Sequence, residues 1–267
     1  MKIGAQDRRS SAISTSNAET ILVRGRDLCA ELIGKISFTD HVWLLVTGDL
    51  PSPSQRRVLD ATLVAIAEHG LVPSVQAGRL TLAAAPEALQ GAVAAGILGC
   101  GSVILGSAEA AGRLFDDVLT RSPGDLESGA RAVLGELVAA RRAIPGYGHP
   151  LHKGYDPRSR RLLEIATEAG LAGRHIEVSG VIERLLPEMT GKSLAMNVSG
   201  AIPAVLLDAG YPLLALKGAP ILARTASLIA HLLEEQQRPI GFVLSHAAAA
   251  AIEYDGRAPD GFVRSDQ

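Results

Sequence analysis

One pattern constrains the fold of this chain more than any other: apolar residues recur at helical spacing between marked helix ends. The segment at residues 54–70, SQRRVLDATLVAIAEHG, begins with a serine cap, carries apolar residues on one face and closes at Gly70. Runs of alternating β-branched and aromatic residues, which mark strands, hardly occur. The sequence therefore predicts an all-α fold of about ten to twelve helices.

Other helix starts are marked in the same way. Pro86 opens PEALQGAVAAGILG, and Asp125 opens DLESGARAVLGELVAARR. Asp156, followed by a proline, opens a helix that closes at Gly170. A final helix pair is predicted over residues 217–239 and 240–256.

The composition describes the kind of core that these helices share. The chain has 267 residues, of which 47% are hydrophobic but only 3% aromatic. Such a chain has enough apolar material for one large domain or two modest ones. The core must be built mainly from aliphatic side chains on closely approaching helices.

Charge and spacing exclude several function classes. The formal net charge is -2 and no long basic run occurs, so nucleic acid and anionic membrane surfaces are not expected partners. The sequence has no HxxxH, no CxxC and no phosphate-binding glycine loop, so we expect no metal and no P-loop nucleotide. No stretch of 18 uncharged apolar residues and no signal-type apolar block occurs, which predicts a soluble, cytoplasmic protein.

Several polar residues are expected to have structural roles only. Cys29 and Cys100 lie in apolar stretches and predict buried thiols. His231 lies on an apolar helix face, where a packed core histidine is expected. Glu234 and Glu235 are expected to be solvated.

The segment IPGYGHPLHKGYDPR, residues 144–158, is the best candidate for a functional site. Gly146 and Gly148 permit unusual backbone angles, so His149 is expected on a turn rather than on a helix face. A surface turn that happens to contain histidine is the alternative. Arg158 follows in the first turn of the next helix, where the helix N-terminus adds to the positive charge and favours an anionic ligand.

The same segment resembles the citrate synthase family, in which a glycine-flanked histidine precedes an Asp-Pro-Arg triplet. Three further blocks are similar and follow in the family's order: VRGRDLCAELIGKISFTDHVWLLVTGDLPS, EHGLVPSVQAGRL and ARTASLIAHLLEEQQRP. Together the blocks run from about Val23 to Gly256. The short length of the chain and the segment MNVSGAIPAVLLDAGYP most resemble the citryl-CoA lyase branch of the superfamily.

The resemblance implies an all-helical protein whose two domains close on a cleft. Residues 1–106 and 201–267 would form a discontinuous large domain, and residues 107–200 a small one. The protein would act as a homodimer on a coenzyme A thioester and a small oxo-acid of the oxaloacetate or citrate class. No tightly bound cofactor is implied.

Five residues carry the family's substrate site by resemblance. His69 and His149 match histidines that bind the oxo-acid, and His149 is the catalytic candidate. Arg158 and Arg224 match arginines that hold the carboxylates of the acid. Arg238 matches an arginine that the partner subunit supplies.

Two positions depart from the family's catalytic pattern. Leu105 replaces the histidine that stabilises the enol of the acyl-CoA, and Ser199 replaces the aspartate that removes its methyl proton. Glu109, one helical turn after Leu105, is a possible replacement base, or else a solvated residue on a helix face; His152 is a possible extra acid or base, or else a packed imidazole. Three hypotheses therefore stay open. The first is a citryl-CoA lyase-like enzyme that cleaves or forms a carbon–carbon bond, and the second is a catalytically impaired homologue that binds a carboxylate or CoA thioester in a regulatory or binding role. The third is a related acyl-CoA chemistry with a different oxo-acid, in which His149 or His152 transfers the proton.

Overall fold

The structure is a computed structural model that describes residues 10–103, 105–148 and 154–262. It begins with three short strands, Ser14–Ser16 (β1), Ile21–Val23 (β2) and Arg26–Asp27 (β3). They form one antiparallel sheet in the order β1–β2–β3. Strands of two or three residues are too short for an alternating pattern, which explains why the sequence does not predict them.

Eleven α-helices make up most of the remaining described residues, and the all-α prediction is confirmed. The helices are Phe38–Thr47 (α1), Pro53–Ala67 (α2), Pro73–Ala84 (α3), Leu89–Leu98 (α4), Gly106–Arg121 (α5), Leu126–Ala139 (α6), Pro157–Glu168 (α7), Arg174–Thr190 (α8), Val198–Asp208 (α9), Gly218–Gln237 (α10) and Gly241–Ala251 (α11). One turn of π-helix covers Leu28–Leu32, and one turn of 3-10 helix covers Leu213–Ala215.

Two predicted helix starts are confirmed by their capping residues, whereas Ser54 lies inside α2 rather than at its cap and the helix predicted to open at Pro86 begins at Leu89. Asp125 caps α6 and accepts a hydrogen bond from the Ser128 N–H at 3.0 Å. Asp156 caps α7, with Pro157 as the first helical residue. The helix predicted over residues 54–70 is α2, which ends three residues before the predicted glycine.

One compact unit contains the described residues of Met1–Ala65 and Leu105–Ala219. Its central element is α9, whose residues Gly200–Leu206 are all buried and which packs against α5, α7 and α8. A side chain at Gly112 of α5 would begin only 2.4 Å from a methyl group of Leu216. This glycine therefore lets α5 lie close to the 3-10 turn and to α9, in a core that also holds the buried aromatic rings of Trp43 and Phe115.

Asp208, the last residue of α9, ties this helix to the start of α8. Its carboxylate accepts hydrogen bonds from the N–H groups of Gly173, His175 and Ile176 at 2.8–3.0 Å. The Nδ1 atom of His175 lies 2.8 Å from the same carboxylate. Burial raises the pKa of Asp208, but these hydrogen bonds outweigh burial and hold the pKa below its ordinary value.

The other compact unit contains the described residues of Ile66–Ile104 and Pro220–Gln267. Helix α3 packs against α4 and α11 in this unit. The core is an aliphatic cluster of Leu82, Ala92, Leu228 and Leu232. A Cβ at Gly78 or Gly96 would lie within 3 Å of Leu228, so both glycines are needed where α10 crosses α3 and α4.

The predicted domain division stays a prediction. It groups residues 1–106 with 201–267 and sets residues 107–200 apart, whereas close packing groups the chain as the two compact units described above. The cleft that the resemblance implies between its two domains stays a prediction with it.

The two cysteines differ in environment. Cys100 is buried, as predicted, with its Sγ atom 3.8 Å from the Gly96 carbonyl oxygen. The prediction for Cys29 is wrong, because this thiol is exposed. Cys29 lies in the single π-helical turn, and Leu32 is the residue of that turn that reaches the core.

The segment Leu213–Gln237 has the length and the apolar composition that a membrane-crossing helix would need. Core helices of soluble proteins often meet both criteria. Here the segment supplies Leu228 and Leu232 to the aliphatic cluster, and it carries the buried charged residues Arg224 and Glu235.

Candidate active site

The loop that leads to His149 is paired with the segment that precedes α9. Tyr147 forms an antiparallel bridge with Met196. The Gly148 N–H donates to the Ala195 carbonyl oxygen at 2.8 Å, and the Asn197 N–H donates to the Gly146 carbonyl oxygen at 2.9 Å. His149 and His152 themselves lie outside the described residues, so their predicted roles stay predictions.

Two glycines make this pairing possible. Gly146 has φ +85° and Gly148 has φ +78°, which are left-handed conformations that favour glycine. A Cβ at Gly200, in the first turn of α9, would lie 2.6 Å from the Gly146 carbonyl oxygen. A Cβ at Gly146 would lie 2.7 Å from the Gly200 Cα. The loop and α9 are therefore in direct backbone contact, for which any side chain would be too large.

Buried polar groups hold the same loop from the side of α8. The Tyr147 hydroxyl donates to the Ser179 carbonyl oxygen at 2.7 Å. Burial, with the nearby Glu183 charge, raises the pKa of Tyr147 well above its ordinary value, so the hydroxyl keeps its proton. Glu183 accepts a hydrogen bond from the Met196 N–H at 2.8 Å. The loop is thus fixed on both sides up to Gly148.

Asp156 connects Arg158 to the N-terminus of α9. Its buried carboxylate accepts hydrogen bonds from Arg158 Nε at 3.1 Å and from Arg158 Nη2 at 2.9 Å. It also accepts the N–H of Val198, the first residue of α9, at 3.0 Å. Burial raises the pKa of Asp156, but the hydrogen bonds from Arg158 and Val198 outweigh burial and lower the pKa below its ordinary value. The sequence predicts Asp156 only as a helix cap, so this second role was missed.

Ser199 lies at the same helix start. It is half-buried, and its N–H donates to Asn197 Oδ1 at 2.9 Å. The Asn197 side chain in turn donates to the Gly148 carbonyl oxygen at 2.6 Å. The structure therefore brings together three predicted features: the stem of the His149 loop, the arginine at position 158 and the serine that replaces the family's aspartate.

Leu105 has a backbone conformation that is rare for leucine. It is the N-cap of α5, its φ is +68°, and its side chain is buried and makes no capping hydrogen bond. Glu109, the possible replacement base, forms an ion pair with Arg113 at 2.7 Å on the same helix. This pairing agrees with the role of a helix-face residue rather than with that of a free base.

In the other compact unit, His69 lies two residues beyond the end of α2 and is exposed. The Glu68 carboxylate accepts the N–H groups of His69 and Gly70 at 2.8 and 2.5 Å. It also lies 3.0 Å from Nε2 of His231, so this histidine is a half-buried ion-pair partner rather than a purely apolar core residue. Burial raises the pKa of Glu68, but the hydrogen bonds from Gly70, His231 and His69 lower it below its ordinary value.

The two arginines predicted in α10 and at its end have opposite exposures. Arg224 is buried, whereas the Arg238 side chain is 79% exposed and lies 3.3 Å from Glu234. The prediction that Glu235 is solvated is wrong, because it is buried and forms an ion pair with Arg79 at 2.7 Å. Arg79 was missed as a functional candidate, although it is the one charged residue in the sequence of α3.

The described residues contain no group of three or more His, Cys, Asp or Glu side chains that could hold a metal ion. The described residues around the start of α9 offer the Arg158 guanidinium, the helix N-terminus and the Ser199 hydroxyl.

We predict that Asp156→Asn lowers the free energy of unfolding by about 1–3 kcal/mol at pH 7, because the charged partner of Arg158 is lost. The pKa of Asp156 is lowered in the folded state, so its contribution is complete above the unfolded pKa of about 3.9 and is lost as the pH falls through the folded pKa. The stability difference between the native chain and the variant should therefore be full at pH 5–7 and should shrink below about pH 4.

Urea unfolding at several pH values measures this difference. Asp116→Asn, which removes an exposed carboxylate from α5, is the control and should change stability little at any pH. The proposed role of Asp156 would be contradicted by a stability difference that is the same at acid and neutral pH, or that is no larger than the difference for the control.

Comparison with known proteins places this chain in a family. The profile described as the C-terminal domain of citrate synthase matches residues 51–241. The citrate synthase of Deinococcus radiodurans is 27% identical over 190 residues, which are 70% of this chain and 48% of that protein. The citrate/2-methylcitrate synthase of Bacillus subtilis is 28% identical over 205 residues, or 75% of this chain and 53% of that protein. The chain spans about half the length of the curated relatives it matches.

Solved structures show the same fold. Citryl-CoA lyase from Hydrogenobacter thermophilus has a TM-score of 0.85 and 29% identity, covering 95% of this chain and 97% of that one. ATP citrate lyase from Methanothrix soehngenii, solved in complex with citrate and coenzyme A, has a TM-score of 0.74 and 22% identity, covering 96% of this chain and 43% of that one. The family profile matches more than half of the sequence, and the chain therefore belongs to the citrate synthase family.

Proposed function

We propose that this chain is a citryl-CoA lyase-like enzyme that cleaves or forms the carbon–carbon bond between an acetyl-CoA unit and a 2-oxo acid of the oxaloacetate class. The observation that carries the proposal is the likeness to citryl-CoA lyase of Hydrogenobacter thermophilus, because it extends over nearly the whole length of both chains. A second lyase of the same fold was solved in complex with (3S)-citryl-CoA.

The arginines support a substrate with several carboxylates. Asp156 holds the Arg158 guanidinium through two of its nitrogens and keeps it beside the N-terminus of α9. Guanidinium groups that are fixed in this way bind carboxylates more strongly than mobile ones, because less side-chain entropy is lost on binding. Arg224 and Arg238 would hold the remaining carboxylates, and His69 would hydrogen-bond the acid.

In the direction of cleavage, a base takes the proton of the tertiary hydroxyl group of citryl-CoA, and this oxygen becomes the ketone oxygen of oxaloacetate. The bond between the hydroxyl-bearing carbon and the thioester methylene breaks, and its electron pair forms the enolate of acetyl-CoA. The enolate then takes one proton to give acetyl-CoA. We assign to His149 the role of the base that takes the hydroxyl proton. In the direction of synthesis, the same imidazole polarises the ketone.

The enolate is the weak point of this assignment. Leu105 offers no proton to the developing oxyanion, and the Ser199 hydroxyl is a poor substitute for a carboxylate. These two positions favour a second candidate function, a regulatory or binding homologue that recognises a carboxylate or a CoA thioester without efficient turnover. In the first candidate, the same two positions make the reaction slow.

The remaining features of the proposal follow from the substrate class. The CoA thioester is a substrate. No tightly bound cofactor is needed for a reaction in which protons move and one carbon–carbon bond forms or breaks. The chain would be a lyase in the direction of cleavage; as a citrate synthase-like acyltransferase it would form citryl-CoA, and water would then cleave the thioester to release citrate and CoA. We place it in the cytoplasm, where CoA thioesters are made and used.

We expect the purified protein to cleave citryl-CoA to acetyl-CoA and oxaloacetate, with the oxaloacetate followed through a coupled reduction by malate dehydrogenase. His149→Ala should lower the rate about 100- to 10,000-fold, because general acid–base catalysis is lost. Circular dichroism should show an unchanged helical spectrum.

His41→Ala is the matched control, because His41 is a half-buried histidine of α1 outside the proposed site. Calorimetric titration with citrate, oxaloacetate and CoA accompanies the assay. Binding without any turnover would favour the second candidate, and neither binding nor turnover would contradict both.

We further propose a homodimer, in which Arg238 reaches the site of the partner subunit. Four large apolar side chains on α10 and α11 are 50–72% exposed and would be covered by a second copy: Ile229, Leu233, Phe242 and Val243. Ile229 and Leu233 lie one helical turn apart on α10, and Phe242 and Val243 are consecutive in α11; exposed apolar patches on a protein surface mark interaction sites.

Light scattering at micromolar concentration should therefore give about twice the chain mass of 27.8 kDa. The double variant Leu233→Asp with Phe242→Asp should be a monomer, because two charges would be buried in the interface. Val64→Asp, at a comparably exposed position on α2, should remain a dimer. A native chain that is monomeric would contradict a site shared between subunits.

A further inference from the structure

Arg79 is the largest fully buried side chain among the described residues, with 2% of its surface exposed. It lies on α3, among the aliphatic residues that pack against α4 and α11. A buried guanidinium is costly to desolvate unless every part of it is paired. Its partners therefore indicate what the charge is for.

All three nitrogens of the Arg79 guanidinium point at the end of α10. Nε donates to Glu235 at 2.7 Å, and Nη1 donates to Glu234 at 2.9 Å. Nη2 donates to the backbone carbonyl oxygen of Arg238 at 3.3 Å. One buried side chain thus fixes two carboxylates and the backbone of the arginine that follows them.

Glu235 extends this network into the turn that leads to α11. It is 3% exposed, and its carboxylate accepts the N–H groups of Ile240 and Gly241 at 2.8–3.1 Å. A Cβ at Gly241 would lie 2.4 Å from the Cβ of Ala83 on α3. The residues on both sides of Arg238 are therefore held against α3.

Glu234 connects the same network to the Arg238 side chain. One of its oxygens binds Arg79, and the other lies 3.3 Å from Nη2 of Arg238. The Arg238 N–H also donates to the Glu234 carbonyl oxygen at 2.7 Å. The backbone of Arg238 is thus held in place, and its largely exposed guanidinium lies in an ion pair with a carboxylate that the same network fixes.

We propose that Arg79 is a positioning residue: through Glu234, Glu235 and the Arg238 carbonyl, it holds the Arg238 guanidinium ready for a carboxylate of the acid substrate. This inference rests on the proposed function, in which Arg238 binds the acid. A free arginine side chain would lose much of its rotational freedom on binding, and the network removes that loss in advance.

The network exceeds what the stability of this packing requires. A buried ion pair is often no more stabilising than apolar residues of the same volume, and α3 is otherwise packed through aliphatic side chains. The fork geometry of arginine, which lysine lacks, is what allows one side chain to reach three separate oxygens. The cluster is therefore specific in geometry as well as in charge.

The test is a double-mutant cycle on the dissociation constant for citrate, measured by calorimetry with Arg79→Lys, Arg238→Ala and the combined variant. Arg238→Ala should weaken binding about tenfold to a hundredfold, because one charge-assisted contact is lost. Arg79→Lys should weaken it about tenfold. The combined variant should bind as Arg238→Ala alone does, because there is no longer an arginine to position.

Glu235→Gln provides a second route to the same result. The amide oxygen can still accept the Gly241 N–H, whereas the amide nitrogen cannot accept from Arg79. This variant should therefore also weaken citrate binding in the native background and have no effect in the Arg238→Ala background. Hydrogen exchange at the Ile240 and Gly241 amides should be faster in Arg79→Lys, which measures the loosened turn without any ligand.

Asp208→Asn is the control for a merely structural effect, since it disturbs an equally buried carboxylate in the other compact unit. It should lower the melting temperature and leave the citrate dissociation constant unchanged. Additive losses in the combined variant, or unchanged hydrogen exchange in Arg79→Lys, would overturn the positioning role. If Arg238→Ala and His149→Ala both bind citrate as tightly as the native chain, the proposed function is contradicted, and the inference falls with it.

Discussion

The buried carboxylate of Asp156 is the interaction on which the site in the first compact unit depends. It fixes the guanidinium of Arg158 and accepts the first N–H of α9, so one charged group joins a predicted binding residue to the central buried helix of that unit. The contact between Gly146 and Gly200 then lets the segment that ends at Gly148 lie directly on the same helix start. The packed core is thereby linked to a polar site through one helix terminus. Polar groups that are supported in this way have little freedom to move.

The local part of this architecture could be predicted from sequence. Asp125 and Asp156 act as helix caps where the pattern puts them, and apolar spacing locates α2, α10 and α11. These features depend on residues within a turn or two of one another. The three short strands and the exposure of Cys29 could not be predicted, because two or three residues carry no pattern and burial depends on which side of a turn faces the core.

The long-range part could not be read from the chain in the same way. Arg79 and Glu235 are 156 residues apart, and each alone resembles a solvated residue of a polar helix face. The second role of Asp156 depends on Val198, 42 residues later in the sequence. For the candidate site, the family resemblance supplied the residues, whereas the carboxylates that hold Arg158 and Arg238 became visible only in the folded chain.

Arg158, which would bind the acid, is held by the buried carboxylate of Asp156, while the two positions that would handle the enolate carry Leu105 and Ser199. We propose that proton transfer at the acyl-CoA, and not recognition of the acid, limits turnover by this chain. The most direct measurement is the exchange of the acetyl-CoA methyl protons with deuterated solvent in the presence of oxaloacetate, followed by proton NMR. We expect slow exchange by the native chain and a rise of about 100-fold or more in the paired variant Leu105→His with Ser199→Asp, with little gain from either change alone. Rapid exchange by the native chain would contradict this proposal.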